Sequence, residues 1–131
     1  MTTTVNTLQD IAQACDLPPE VVRAVVMNSD RPEAMHLELT AGWLRSLWCD
    51  VSEVQDSFIE FKAPGGPRRL WRLQAIDEGG NLNSGTYATR SHDYCLHFDT
   101  RCEPVFIPGG LSPLDLAGRA LRHVRQIEAH R

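Results

Sequence analysis

Apolar residues recur at helical spacing through the N-terminal part of the chain. Residues 7–15 predict one helix, the run 16–19 ends it, and Pro19 suits the first turn of a second helix. The second helix is expected to pack through an apolar stripe of four valines, Val21, Val22, Val25 and Val26. Because β-branched residues are mediocre helix formers, tertiary contacts must hold this helix in place.

A third helix is expected to follow, capped by Ser29 or Asp30, with Pro32 and Glu33 in its first turn. Apolar residues surround much of its circumference: Met35, Leu37, Leu39, Trp43, Leu44, Leu47 and Trp48. A helix that is apolar on most sides is normally enclosed by the rest of the protein. We therefore expect it to be the central helix, with Leu44, Leu47 and Trp48 in the core.

The apolar period changes to two from about Ser57, which predicts strands. Residues 57–63 and 68–77 alternate clearly, and the second segment places Trp71, Leu73 and Ala75 on one face. Further strand candidates are residues 86–89, 93–99 and 103–108, the last of which is flanked by prolines that suit a sheet edge.

The chain closes with a predicted helix that has a strong start signal. Ser112 suits the N-cap, Pro113 the first helical position, and Asp115 the first turn. The apolar stripe of this helix is expected to consist of Leu114, Ala117, Leu121 and Val124.

Helices, then a meander of strands, then a helix define an α+β fold with an antiparallel sheet of about four strands covered by the C-terminal helix. With 131 residues, 42% of them hydrophobic, the chain suits a single domain, 1–131, with its own core. Residues 1–50 would form its helical part, and residues 51–131 the sheet and last helix.

Charge is distributed unevenly along the chain. Residues 1–66 carry four basic and ten acidic side chains, whereas residues 67–131 carry nine arginines and seven acids, so the net charges are −6 and +2. The two halves would present different fields to a partner. No apolar run is long enough for a membrane span, and no signal peptide is evident, so we expect a cytoplasmic protein without a membrane partner. Four cysteines are most simply free thiols: Cys15, Cys49, Cys95 and Cys102.

The segment 7–28 has a recognisable pattern. Its residues Thr7-Leu8, Asp10-Ile11-Ala12, Cys15, Leu17 and the closing Val25-Val26 resemble the N-terminal helix-turn-helix of LacI-type repressors. The matching positions are mainly the capping Thr7 and the apolar residues that pack the two helices. The resemblance implies a DNA-reading unit, without the sugar-binding domain, for which the chain is too short.

This segment departs from the family where the family reads DNA. At the start of the second helix, where repressors present polar side chains, the chain has Pro18, Pro19 and Glu20. Arg23 is the single basic residue within 7–28, against three acids, so the unit carries a net charge of −2. Non-specific DNA affinity comes from neutralising phosphates. We therefore expect weak DNA binding that depends on the arginines of the second half.

Candidate chemistry is sparse. Cys95, His97 and Cys102 could supply metal ligands, but their spacing matches no usual structural zinc pattern, so we expect no metal. Ser91, His92 and Asp93 are consecutive on the chain and point in alternating directions, so they cannot form a catalytic triad. Phosphate-loop, nucleophile-elbow and dinucleotide-binding motifs are all missing. The sequence therefore predicts a non-enzymatic protein without a cofactor.

Basic side chains near an aromatic residue indicate where a partner could bind, because arginine stacks on bases and clamps carboxylates. One such group surrounds Trp71, and another follows helical spacing near the C-terminus. Together with two residues of the helix-turn-helix segment, the candidate partner-binding residues are Glu20, Arg23, Arg68, Arg69, Trp71, Arg72, Arg119, Arg122 and Arg125.

Two functions are compatible with these features. The first is a small binding protein that regulates DNA-linked machinery, in which the sheet and last helix supply the positive surface. The alternative is an acidic inhibitor or immunity-type factor, of the kind phages and plasmids carry, that blocks a basic site on another protein. In either case the partner is a protein or a nucleic acid, and a homodimer is compatible with both.

Overall fold

A computed structural model of the chain describes residues 17–65, 69–77, 87–98 and 104–129. The predicted helix at residues 7–15 lies outside these ranges. In chain order the described elements are α1 (Pro19–Met27), a short 3-10 helix (Pro32–Ala34), α2 (Met35–Ser46), β1 (Asp50–Val54), β2 (Phe58–Lys62), β3 (Trp71–Ile76), β4 (Asp93–His97), β5 (Val105–Ile107) and α3 (Pro113–Ala129).

The strands form one open antiparallel sheet in the order β1-β2-β3-β4-β5, which confirms the predicted α+β class. The sheet has five strands rather than about four, and the sequence pattern did not predict β1. A bulge between Val51 and Glu53 breaks the period-two pattern of that strand, so only tertiary pairing with β2 reveals it. Residues 87–89, part of the expected strand 86–89, are not in a strand; instead the Ala88 N–H donates to the Asp56 carbonyl at 2.8 Å. The proline-flanked β5 is an edge strand, as predicted.

One face of the sheet holds the core. The predicted inward residues Trp71, Leu73 and Ala75 are all fully buried. They pack with large side chains from the neighbouring strands, which are Ile59, Phe61, Tyr94, Leu96 and Ile107. Helices α2 and α3 cover this face through Leu37, Ala41, Leu44, Leu116, Ala117, Ala120, Leu121 and Val124. The expected covering by the C-terminal helix is therefore confirmed, with α2 beside it.

Helix α1 lies against α2 at a glycine. A Cβ at Gly42 would stand 3.0 Å from the Glu20 carbonyl oxygen and would be crowded there. Glycine at this position therefore lets the two helix backbones approach each other closely. Because this contact is near the start of α1, the last turn of α1 extends past it. Val21 and Val22 are buried, but Val25 and Val26 are 39% and 44% exposed, so half of the predicted valine stripe was wrong.

The helix starts were predicted with mixed success. At α3 the Ser112 Oγ accepts the Asp115 N–H at 3.1 Å, which confirms the expected cap. At the 3-10 helix before α2 the preceding residue is Arg31, without a side-chain cap, so the expected cap by Ser29 or Asp30 was wrong. Ser29 instead donates from its Oγ to the Val26 carbonyl at the end of α1.

Two positions predicted to be apolar contacts turn outward. Leu114, expected in the stripe of α3, is 45% exposed, and Leu116 takes its place in the core. At the end of α2, Leu44 is fully buried, but Leu47 is partly buried and Trp48 is 84% exposed. The prediction that Leu44, Leu47 and Trp48 share the core therefore holds fully for the first alone.

The burial of Leu44 gives a direct test of the core. Leu44→Ala should lower the free energy of unfolding by about 2–5 kcal/mol, because the truncated side chain leaves a cavity between α2 and the sheet. Leu47→Ala, at a partly buried position on the same helix, should cost clearly less. Urea unfolding of both variants and the wild type measures the difference, and equal losses would contradict the assignment.

Candidate functional site

Trp71 does not belong to a partner-binding surface. Its side chain is fully buried, its Nε1 donates to the Glu128 Oε2 at 3.0 Å, and its ring meets Phe98 edge-on at 4.6 Å between centroids. The sequence placed it beside arginines, but neighbouring residues of a strand point to opposite faces. Trp71 thus joins α3 to the sheet, and its side chain is not exposed to a partner.

The arginines of the same strand region are engaged within the protein. Arg72 lies opposite Glu60 in the β2–β3 register, and its Nη2 is 3.2 Å from the Glu60 Oε2. Its guanidinium also stacks on Phe58 at 3.9 Å. Arg69 stands 4.9 Å above the Phe98 ring. Arg68 lies outside the described residues. The sheet therefore does not offer Arg69 and Arg72 as a free cationic patch.

Helix α3 carries the remaining candidates. Arg119, Arg122 and Arg125, here called the α3 basic face, lie on the side of the helix away from its buried stripe; Arg122 and Arg125 are exposed and Arg119 is half-buried. No ion pair within the described parts of the chain involves any of the three. Burial and then the charges of Arg119 and Arg122 lower the pKa of His123, because both guanidiniums lie close enough to oppose its protonation.

A shallow groove of about 500 Å³ follows this face. Its described lining comes from α3 alone: Gly118, Leu121, Arg122, Arg125, Gln126 and Ala129. The groove is cationic and partly apolar, so it suits an anionic segment that can also bury some apolar surface.

Glu20 and Arg23 lie at a separate cleft between α1 and α2, with a volume of about 380 Å³. This α1/α2 cleft is lined by Glu20, Arg23, Ala24, Met27 and Asn28 from α1 and by Glu38 and Arg45 from α2. Two carboxylates and two guanidiniums surround apolar atoms there, so the described lining of the cleft carries no net positive charge. A surface that reads DNA must offset phosphate charge, which this arrangement does not do.

Trp48, which sequence analysis placed in the core, is the most exposed large apolar side chain among the described residues. It follows the last turn of α2 with a φ of 71°, a left-handed conformation that an L-residue with a bulky side chain rarely adopts. Its N–H donates to the Arg45 carbonyl at 3.0 Å, and the Cys49 N–H donates to the Leu44 carbonyl at 3.0 Å. These two bonds form a Schellman motif, in which the left-handed position is usually glycine.

The residues considered for metal binding do not form a metal site in the described structure. Cys95 is buried and burial raises the pKa of its thiol, while burial and then Arg72 lower the pKa of His97. Cys102 is outside the described residues. Within the described ranges no three histidine, cysteine or acidic side chains converge as metal ligands would. Cys49 and Cys95 are both free thiols, as predicted for them.

A second titratable group lies at the start of α2. The Nε2 of His36 is shielded from solvent without a hydrogen-bond partner, and its ring is 6.1 Å from that of Tyr94. Burial, and then the positive charges of Arg90 and His92, lower the pKa of His36 to about 4. The imidazole is therefore neutral in the folded protein at neutral pH.

Together these features define a two-layer α+β protein with one open five-stranded sheet, a basic helix face and an exposed tryptophan. No protein-family model matches the chain, and neither a curated protein nor a solved structure shows significant similarity to it. No helix in the described part of the chain is long and apolar enough to cross a membrane. The function must therefore be argued from the surfaces themselves.

Trp48→Gly should stabilise the isolated protomer by about 1 kcal/mol, because glycine adopts the left-handed conformation without the cost that a Cβ imposes. Trp48→Ala is the matched control: it removes the indole but keeps the Cβ, and should give no comparable gain. Urea unfolding at submicromolar protein concentration measures both. A glycine variant no more stable than the alanine variant would show that the conformation carries no strain.

The low pKa of His36 predicts a loss of stability in acid. An unfolded histidine binds a proton below about pH 6.5, whereas folded His36 remains neutral down to about pH 4. Its contribution is thus complete above pH 6.5 and is lost as the pH falls towards 4. The decrease in unfolding free energy between pH 7 and 4.5 should be smaller in His36→Gln than in the wild type. Equal decreases in the two proteins would contradict the assignment.

Proposed function

We propose that this protein is a non-enzymatic binding protein that regulates DNA-linked machinery through the α3 basic face. The observation that carries the proposal is the position of Arg119, Arg122 and Arg125 on one side of α3, without acidic partners in the described structure. Three guanidiniums spaced by about one helical turn form a cationic stripe, and such stripes bind phosphates or clustered carboxylates.

The other basic candidate residues of the described structure lie beside acidic or aromatic side chains of the protein itself, which favours the α3 basic face as the binding surface. Arg72 is already paired with Glu60 and stacked on Phe58, and Arg69 is stacked on Phe98. Arg23 shares its cleft with two carboxylates. A partner that approaches α3 gains charge neutralisation without first breaking an ion pair, and this makes the α3 basic face the most favourable anionic docking surface of the described residues.

The titratable side chains support binding rather than catalysis. A nucleophilic cysteine needs a lowered thiol pKa, but burial raises the pKa of Cys49 to about 11 and also raises that of Cys95. A general base needs a pKa near the working pH, whereas that of His36 falls to about 4. Burial therefore keeps both thiols protonated and makes the His36 imidazole a weak base.

A second candidate function is the inhibitor that acts by contact with another protein. The outward side of α1 favours it, because Val25, Val26 and Met27 are 39%, 44% and 70% exposed where a DNA reader would present polar groups. In this alternative the acidic N-terminal half would cover a basic site, and α3 would lie outside the contact.

Replacing Arg119, Arg122 and Arg125 by alanine should remove most binding to duplex DNA. It should also reduce the slope of log affinity against log salt by up to about 0.9 for each phosphate contact that is lost. The measurement is a fluorescence-anisotropy titration of a labelled duplex at several salt concentrations. Because the wild-type protein is acidic, the binding is expected to be weak and detectable mainly at low salt.

A charge-matched control separates the α3 basic face from general electrostatics. The triple alanine variant of Arg31, Lys62 and Arg90 removes the same charge from described residues outside α3 and outside the α1/α2 cleft, and it should bind DNA nearly as the wild type does. Equal losses in both triple variants would contradict the α3 site. No DNA binding by the wild type at low salt, together with a single protein partner that survives nuclease treatment of a native lysate, would establish the inhibitor instead.

A further inference from the structure

We propose that this chain forms a symmetric dimer in which Trp48 of each protomer inserts into the α1/α2 cleft of the other. The inference goes beyond the proposed function and is independent of it, because the α3 basic face is not among the residues it uses. It rests on three observations: a protruding tryptophan in an unfavourable backbone conformation, a cleft that can hold an indole, and the hydrogen bond between the backbones of Trp48 and Arg45, a residue that lines the cleft.

Trp48 protrudes from the end of α2. It is called the knob below, and the α1/α2 cleft is called the hole. Its side chain is 84% exposed, and its backbone is held at a φ of 71° by the two hydrogen bonds that end α2. Glycine at this position would remove both the backbone cost and the exposed apolar surface. A tryptophan that incurs both in the isolated protomer is explained if a contact outside the protomer buries it, since strained backbone positions cluster at functional sites. Tryptophan is also the residue most enriched among the anchors of protein interfaces.

The α1/α2 cleft has the size and chemistry for an indole. Its volume of about 380 Å³ lies in the range of sites that hold ring-sized groups. Ala24 and Met27 supply apolar surface, and the thioether of Met27 suits contact with an aromatic ring. Glu20 and Glu38 line the same cleft and can accept the indole N–H, while two guanidiniums are placed to stack on its face.

Trp48 lies close to one end of the α1/α2 cleft. Arg45 lines the cleft, and its carbonyl accepts the Trp48 N–H, so Trp48 follows directly from the Arg45 end of the cleft. A patch that carries both a knob and its own hole is self-complementary. Under a two-fold axis, the knob of each protomer meets the hole of the other, which is the isologous arrangement of most homodimers. A single copy cannot close the contact on itself, because Trp48 is exposed in the protomer.

The size of the contact sets its expected strength. Two tryptophans bury about 150–250 Å² each, and stable interfaces bury about 1,200–2,000 Å² in total. Exposed apolar residues at the end of α1, Val26 and Met27, would add to the contact. The contact therefore falls below that range, where weak and transient complexes lie, and we expect a dissociation constant of micromolar order, so that dilution separates the protomers.

The test is sedimentation equilibrium of the full chain from about 1 to 300 μM. The wild type should shift from monomer to dimer over this range. Trp48→Gly should remain folded and raise the dissociation constant at least tenfold, and Met27→Lys should do the same from the cleft side by placing a charge in the hole. Leu114→Ala removes a large exposed side chain at the start of α3 and should associate like the wild type. Circular dichroism melts confirm that each variant is folded.

Mixing the two defective variants gives the sharpest result. The Trp48→Gly protomer retains an intact cleft, and the Met27→Lys protomer retains an intact tryptophan. One of the two contacts is therefore restored in the heterodimer, and neither is present in either homodimer. The mixture should associate more tightly than each variant alone. A wild type that is monomeric up to 300 μM, a glycine variant that dimerises as tightly as the wild type, or a mixture no tighter than its components would overturn the proposal.

Discussion

The burial of Trp71 is the interaction on which the rest of the fold depends. Its indole lies in the middle of the inner sheet face, and a buried N–H without a partner would be costly. Glu128 supplies that partner from the last turns of α3, 57 residues further along the chain. This bond and the apolar stripe of α3 together fix how the helix is rotated about its axis. With that rotation, the α3 basic face points away from the sheet.

The same strand places the charges of the sheet. Trp71 points inward, so Arg72 must point to the opposite face, where the antiparallel register puts Glu60 directly beside it. The pair is partly exposed and contributes little to stability by itself. Its consequence is electrostatic: the Glu60 carboxylate offsets the charge of Arg72, whereas the three arginines of the α3 basic face have no such ion pair within the described residues. At physiological salt the field of these three arginines extends about 8 Å, which makes its placement on one helix face important.

At the end of α2, Trp48 is expected to lower the stability of the isolated protomer but presents an indole that a partner can bind. A glycine after Leu47 would end the helix with less backbone cost, and a polar side chain there would avoid exposing an indole to water. The neighbouring cleft lies between the same two helices that meet at Gly42, where the absence of a Cβ lets the backbones approach near the first turn of α1. Met27 and Asn28 of α1 and Arg45 of α2 are among the residues that line it.

The sequence by itself determined the types of the elements and most of their starts. Proline at the beginning of α1, the serine cap of α3 and the alternation of Trp71, Leu73 and Ala75 act within a few residues, so local rules suffice to predict them. Other features were decided only by the tertiary structure, because they depend on contacts between residues that are far apart along the chain. The acceptor of the Trp71 indole, the pairing of Arg72 and the bulged strand β1 follow from register and packing, which no short window of sequence encodes. Trp48 is the clearest case: its apolar character and helical spacing predict burial, but α2 ends at Ser46, two residues before it, and a positive φ turns the side chain out to solvent.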